Sequence, residues 1–373
     1  MDNIFFSSSI NMNFGQGRVK ELGDIISARN FNKAEIITDK GIINASLLDN
    51  IEKSLKGNKI DFKIFAGVEE NPSYESVKKG LDELTNYKPD IIIAVGGGSV
   101  MDTAKAIAVW YTNKDRDLFD IMESEDKKHI FPVITIPTTA GTGSEVTSWA
   151  VITDHNINEK VSIGGDGMEP LLAIVDPEMT VSLPPQLTLW TGMDAFIHAL
   201  EAFVSKSSNE FIQKQAYIAM EYIINSLSDA VETGESIKAR EEMLLASMIA
   251  GWAMQNVGLG LVHGMSHQVS AFYGTQHGLT NAILLPYILE YNRPYCKKEL
   301  SKINEIFNND KDIIKNINIL YDKLGFKQII EIRESDIPQM SENALKNVNS
   351  TTNPRKPELE EISDLYEKAF RVI

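Results

Sequence analysis

Hydrophobic positions along this chain change rhythm near its midpoint. In the first half, short apolar runs rich in β-branched residues alternate with amphipathic stretches. The runs "AEIITD" (34–39), "DFKIFAG" (61–67), "DIIIAVGGG" (90–98), "FPVITIPTT" (131–139) and "LLAIVDP" (171–177) predict buried strands. Between the early runs the spacing becomes helical, as in "SYESVKKGLDELTNY" (73–87). Strand and helix in alternation predict a parallel sheet with helices on both faces. After "SLPPQ" (182–186) strand candidates all but vanish, and long helical periodicities run to the end. The expectation is an α/β domain over residues 1–184 and an all-helical domain over 185–373, parted at Pro184-Pro185. In the tail, "STTNPRKPELEEISDLYEKAF" predicts a turn and a last helix, with Glu358, Glu360 and Glu361 near its favourable N-terminus.

Composition narrows the class. A length of 373 residues suits two domains, and 43 % apolar with 24 % charged residues is ordinary for a soluble globular chain. A net charge of -16 argues against nucleic acid and against anionic membranes, because both require clustered Lys and Arg. One cysteine, Cys296, excludes an internal disulfide framework and a thiolate-rich zinc site. The opening "MDNIFFSSSINMNF" lacks the basic and apolar regions of a signal peptide, and no run approaches the ~18 apolar residues of a membrane span. A cytoplasmic protein with a small-molecule partner is expected.

Two glycine-rich junctions suggest what that molecule contains. In "DIIIAVGGGSVMDTAKAIAVW" a buried strand meets three glycines and then a helix, with Ser99 predicted as N-cap and Asp102 as its capping-box partner. Glycines there let a ligand approach the backbone, and the N–H groups of the first helical turn attract an anion such as a pyrophosphate. A second loop, "IPTTAGTGSEVTSWAVITD", places Thr138, Thr139, Thr142 and Ser144 directly after a strand, where open α/β sheets bind ligands. Asp39, at the end of "AEIITD", can accept from ribose hydroxyls and repel a 2′-phosphate, or can cap the next turn. It precedes the glycine loop by about sixty residues, the reverse of the usual dinucleotide-fold order.

The second half carries a different chemistry. In "TLWTGMDAFIHALEAFVS" Asp194 and His198 are four apart, on one helix face among apolar neighbours. Such a pair is either hydrogen-bonded or holds a metal. "LVHGMSHQVSAFYGTQHG" adds His263, His267 and His277, bringing four of the chain's six histidines into two segments. One Asp with three His is a nitrogen and oxygen donor set suited to a borderline divalent metal such as Fe(II), Zn(II), Co(II) or Ni(II). By spacing alone, His263 and His267 look like the chelating pair.

With these motifs in view, the chain resembles the iron-containing (group III) alcohol dehydrogenases nearly end to end. The likeness runs through "FGQG", "GGGSVMDTAKA", "PTTAGTGSE", "DPEMTVSLPP", "GMDAFIHALEAFVS", "GLGLVHGMSHQVSAFYGTQHG" and "DIPQMSENAL" with the later "TNPR". The resemblance implies a dehydroquinate synthase-like fold, an NAD-binding domain and a helical metal-binding domain with the active site in the cleft between them, and a homo-oligomer. It implies Asp194, His198, His263 and His277 as metal ligands, with His267 nearby as a catalytic, proton-handling residue. Asp39, Gly97, Gly98, Ser99, Asp102, Thr138, Thr139, Thr142 and Lys160 fall where the family contacts NAD(P), with Asp39 favouring NAD over NADP. The stretch "SIGGDGMEPLLAIVDP" departs from the family by its extra glycine and acid, close to Lys160. The implied reaction is hydride transfer between NAD(H) and a primary alcohol or aldehyde, assisted by Fe(II) or Zn(II). A metallohydrolase and an NAD-using lyase of the same broad fold are the alternatives. The glycine cradle counts against the first, and the lack of a Lys/Arg cluster near the histidines against the second.

Overall fold

A computed structural model describes residues 10–122, 129–155 and 159–373. They fall into two compact units: one runs to Thr139 and resumes over Gly143–Leu183, and the other holds Pro184–Ile373 with Ala140–Thr142. A cut at 184/185 therefore leaves out three residues of the early glycine-rich loop that belong with the helices.

The first unit contains β1 (Asn11–Phe14), β2 (Lys33–Ile37), β3 (Asp61–Phe65), β4 (Ile91–Gly96), β5 (Val133–Pro137), β6 (Trp149–Asp154), β7 (Glu159–Gly164) and β8 (Leu172–Val175). Six of them form one parallel sheet in the order β1-β8-β5-β4-β2-β3. The unbroken apolar run of β4 has a direct cause. Ile91, Ile93 and Val95 join a core with Leu22, Ile26 and Leu55, while Ile92 and Ala94 join another with Val77, Leu84 and Ile107. Successive side chains point to opposite faces, and each face is buried under helices. The five expected strands are all present, each shorter than its apolar run because the last residues turn into loops.

Two features depart from expectation. The half-exposed edge strand β1 gave no apolar run, and the loop expected after β5 ends in a strand: β6 pairs antiparallel with β7 from Trp149↔Gly164 to Asp154↔Glu159. The extra glycine noted there has a packing reason, since a Cβ on Gly164 would lie 2.0 Å from the Trp149 ring. The early "FGQG" and the later "DP" also meet. Buried Asp176 accepts from the N–H groups of Gly17 (3.0 Å), Val19 (3.1 Å) and Glu178 (3.0 Å).

The chain runs from β2 outward to β3 and then returns to β4 on the other side of β2. This reversal is a topological switch point, and ligands of open sheets bind at the carboxyl ends of the strands there. Registers Ile37↔Ala94 and Gly96↔Pro137 bring the ends of β2, β4 and β5 side by side.

The second unit is built from helices, with one parallel pair of two-residue strands, Glu331–Ile332 and Arg371–Val372. Its central helix, Pro185–Val204, is buried at every position from Thr191 to Val204. Around it lie Glu210–Glu232, Ile237–Val257, Leu261–Tyr273 and His277–Asn292. The last helix, Leu359–Ala369, opens with a capping box between Glu358 and Glu361. Among the described residues no single helix is long and apolar enough to cross a membrane.

Candidate functional site

In the α/β unit Asp39, Gly97, Gly98, Thr138 and Thr139 follow directly on three adjacent strand ends, whereas Lys160 and Thr142 lie elsewhere. Gly96 closes β4, Gly97 takes the N-cap position with extended backbone, and a helix spans Gly98–Thr112. The expected cap at Ser99 is not formed. Because the strand stops at Gly96, the helix begins early and Ser99 lies in its first turn, its hydroxyl donating to the Glu70 carbonyl. Nor does Asp102 complete a box: its Oδ1 accepts from the Ser144 hydroxyl at 2.6 Å and its Oδ2 from the Val151 N–H at 3.0 Å.

Asp39 follows β2 and caps the helix Lys40–Asn44, its Oδ1 accepting from the Ile42 N–H at 3.0 Å. Thr38 donates to the Val95 carbonyl at 2.8 Å, and the Thr138 N–H donates to the Gly96 carbonyl at 3.0 Å, which stitches the three strand ends together. Thr139 follows β5, and its buried Oγ1 has no hydrogen-bond partner among the described residues. Lys160 sits on β7 and donates to Asn71 Oδ1 at 3.0 Å, and Thr142 belongs to the helical unit. Behind this rim, fully buried Lys105 donates to the Ser144 carbonyl (3.0 Å), Ser144 Oγ (2.7 Å), the Thr147 carbonyl (3.3 Å) and the Trp149 carbonyl, and stands 3.6 Å from Asp102. Lys105 had no signal in the sequence beyond its place one turn after Asp102.

In the helical unit one atom from each of Asp194, His198, His263 and His277 lies within 4.8 Å of the other three. Asp194 Oδ1 stands 3.8, 3.6 and 3.7 Å from the Nε2 atoms of His198, His263 and His277. Three helices supply these groups: Asp194 and His198 one turn apart, His263 near the start of Leu261–Tyr273, and His277 as the first residue of its helix. Close approach is required at the last, since a Cβ on Gly278 would lie 2.3 Å from the Trp190 carbonyl oxygen. His267 is outside the group, with its ring 5.2 Å from that of His277 and 6.1 Å from that of His263. The i, i+4 pair His263/His267 is thus not the chelating geometry; His263 is grouped with residues from two other helices.

Two further residues were missed in the sequence. Glu201, one turn beyond His198, accepts from His263 Nδ1 at 2.6 Å, and the Gly141 carbonyl accepts from His198 Nδ1 at 3.2 Å. Asn281, one turn beyond His277, places Nδ2 2.7 Å from Asp194 Oδ1 and 3.1 Å from the Nε2 atoms of His263 and His277. Helical spacing from known candidates was the available signal for both. Burial works to raise the Asp194 carboxyl, yet the surrounding histidines outweigh it and hold Asp194 below the usual carboxylate range. Burial pushes His198 down, whereas at His263 it is overcome by Glu201 and Asp194, which push that ring up to about 9.

The donor set fits a divalent metal. Three imidazole nitrogens and a carboxylate oxygen converge in a buried space, and the Oδ1 of fully buried Asn281 has no hydrogen-bond partner among the described residues. With its imidazoles neutral, each ligand atom of the set offers a lone pair. A cation answers all of them at once.

Comparison with known proteins agrees with both halves. Residues 10–177 match the family described as iron-containing alcohol dehydrogenase, and residues 188–370 match the C-terminal part of the Fe-containing alcohol dehydrogenase family. The 1,3-propanediol dehydrogenase of Citrobacter freundii is 35 % identical over 373 residues, covering 96 % of each chain. The NAD-dependent methanol dehydrogenase of Bacillus methanolicus is 35 % identical over 377 residues, covering 95 % of this chain and 97 % of that one. The solved structure of an alcohol dehydrogenase from Oenococcus oeni superposes with a TM-score of 0.93 at 34 % identity, over 98 % of this chain and 100 % of the other. The hydrolase and lyase readings fall away. By sequence over nearly its whole length, by fold and by the chemistry of its buried donors, this chain belongs to the iron-containing alcohol dehydrogenase family.

Proposed function

We propose that the protein reversibly reduces short-chain aldehydes to primary alcohols with NADH, using Asp194, His198, His263 and His277 to hold a divalent metal. The observation that carries this reading is the convergence of one buried carboxylate and three Nε2 atoms. When bound, the metal supplies Lewis acidity at the substrate oxygen and NAD(H) supplies or takes the hydride. Iron is favoured by the family and zinc accepts the same donors. The names of the propanediol and methanol relatives support a small primary alcohol as substrate.

The chain's own groups do the rest. Asp194 contributes a negative charge kept ionised by its histidines, and the Nδ1 contacts to Glu201 and the Gly141 carbonyl leave Nε2 of His263 and His198 directed at Asp194. His267, buried and beside His277, is assigned the transfer of the alcohol proton toward solvent. For the cofactor, Asp39, Gly97, Gly98, Ser99, Asp102, Thr138, Thr139, Thr142 and Lys160 are proposed contacts. The first-turn N–H groups after Gly97 suit a pyrophosphate, and Asp39 disfavours the 2′-phosphate of NADP. The protein's single cysteine suits a reducing cytoplasm, and a homo-oligomer there is proposed on the family resemblance alone.

The test is a panel of aldehydes with NADH on protein of measured metal content. Chelation should abolish NADH oxidation, and Fe(II) or Zn(II) should restore it. Full turnover by verified metal-free protein would overturn the reading.

A further inference from the structure

We propose that Glu201 is a positioning residue that fixes the ring orientation of His263 and anchors the helix carrying it; the inference rests on the metal reading above. Glu201 is 3 % exposed and lies seven residues beyond Asp194, on the same face of the central helix. Both of its oxygens are occupied. Oε2 receives the Gly260 N–H at 2.9 Å and His263 Nδ1 at 2.6 Å, while Oε1 receives the Val262 N–H at 2.7 Å. Two backbone donors on one carboxylate make it an acceptor, so the His263 ring must donate from Nδ1. That leaves the Nε2 lone pair for a metal.

The same contacts answer a structural demand. The helix Leu261–Tyr273 has Gly260 at its N-cap and no side chain there to satisfy its first N–H groups. Glu201 takes two of the opening N–H groups, and buried Asn353 takes the Leu261 N–H at 3.1 Å. A Cβ on residue 260 would lie 2.6 Å from Glu201 Oε1, so glycine is required for the carboxylate to sit this close. Asn353 in turn exchanges hydrogen bonds with Asn292 at 2.9 and 2.8 Å, which gives the late "TNPR" motif a role. A negative charge at a helix N-terminus is favourable, so cap and ring clamp are one device.

Glu201→Gln keeps the volume and one acceptor but cannot receive from His263 and from both N–H groups together. Competition with a chromophoric chelator should show the dissociation constant for Zn(II) raised about 10- to 100-fold. In zinc-loaded wild-type protein labelled with 15N-histidine, His263 should show a ring Nδ1–H protected from solvent exchange, and the variant should lose or shift that signal. An unchanged zinc affinity in folded Glu201→Gln, with wild-type zinc binding intact, would overturn the role of Glu201 and leave the metal reading standing. A wild-type His263 without a protected Nδ1–H would overturn it even if the variant failed to fold. A wild-type protein that takes up no zinc would overturn both.

Discussion

Each unit of this protein buries a cluster of charge, and the two clusters are closed in opposite ways. In the α/β unit Lys105 is the cation. Its ammonium is surrounded by the oxygens of Ser144, Thr147 and Trp149 and lies near Asp102, so the chain neutralises itself. In the helical unit Asp194 faces only imidazoles and an amide, and no Lys or Arg makes an ion pair with it among the described residues. A buried carboxylate is expensive unless paired, and an internal lysine and an external metal are two solutions to that one problem. The first makes a rigid scaffold for the loop after β5. Under the proposed metal reading, the second makes a site whose cation comes from outside the chain.

The comparison predicts different consequences for breaking each cluster. The largest effect is expected for Asp194→Asn, which should lower kcat/KM on the order of 10³-fold through loss of bound metal. NADH binding, followed by its fluorescence, should stay within about twofold if the α/β unit binds independently. A variant that keeps its metal and its rate would mean that the carboxylate is not a ligand.

Lys105→Met should act on stability instead. It strands several buried carbonyls and leaves Asp102 without its neighbouring cation, at a cost of about 3 kcal/mol in urea unfolding. Zinc stoichiometry of whatever remains folded should be unaltered; a loss of zinc without a loss of stability would mean that Lys105 supports the metal site and not the scaffold.

A smaller, purely electrostatic change separates capping from recognition at Asp39. Asp39→Asn retains an oxygen to accept from Ile42 but removes the charge, so the preference for NAD over NADP should fall about tenfold with little change in melting temperature. An unaltered ratio would leave Asp39 as a helix cap alone.

The last effect is confined to a pH window and concerns Glu145, which is buried next to Lys105. Burial raises its carboxyl to about 7, against lowering contributions from its own backbone N–H and from Lys105. The folded protein therefore keeps this proton up to about pH 7, while the unfolded chain releases it near the ordinary 4.5. With more protons on the folded state, stability falls as pH rises through that window. Glu145→Gln should remove this fall, so the variant gains about 3 kcal/mol relative to wild type between pH 4.5 and 7.5. A pH-independent difference would show that Glu145 does not titrate there.

Much of this was legible in the linear chain, for identifiable reasons. Strands buried on both faces write themselves as unbroken apolar runs, which is why β4 and β5 were read directly, whereas the edge strand β1 and the hairpin β6–β7 were not. Glycines at a strand-to-helix junction are a local signal. The capping error at Ser99 was a register error of two residues, of the kind that local propensity cannot correct because the strand's end is set by its neighbours. Asp102 and Lys105 were bound to partners some forty residues away, and no local pattern announces that.

By itself the sequence determined the kinds of donor available, their spacing within each helix and the change from strand to helical periodicity, since all of these are local. It could place Asp194 above His198 and Asp39 at a strand end. Only the tertiary structure decided which histidine joins them. His263 and His267 are equally well spaced along one helix, but helix packing turns His263 toward Asp194 and gives its other nitrogen to Glu201. The sixty residues between Asp39 and the glycine loop were likewise an oddity of order until the sheet set β2 beside β4. Distance along the chain says little about distance in space when a crossover strand intervenes.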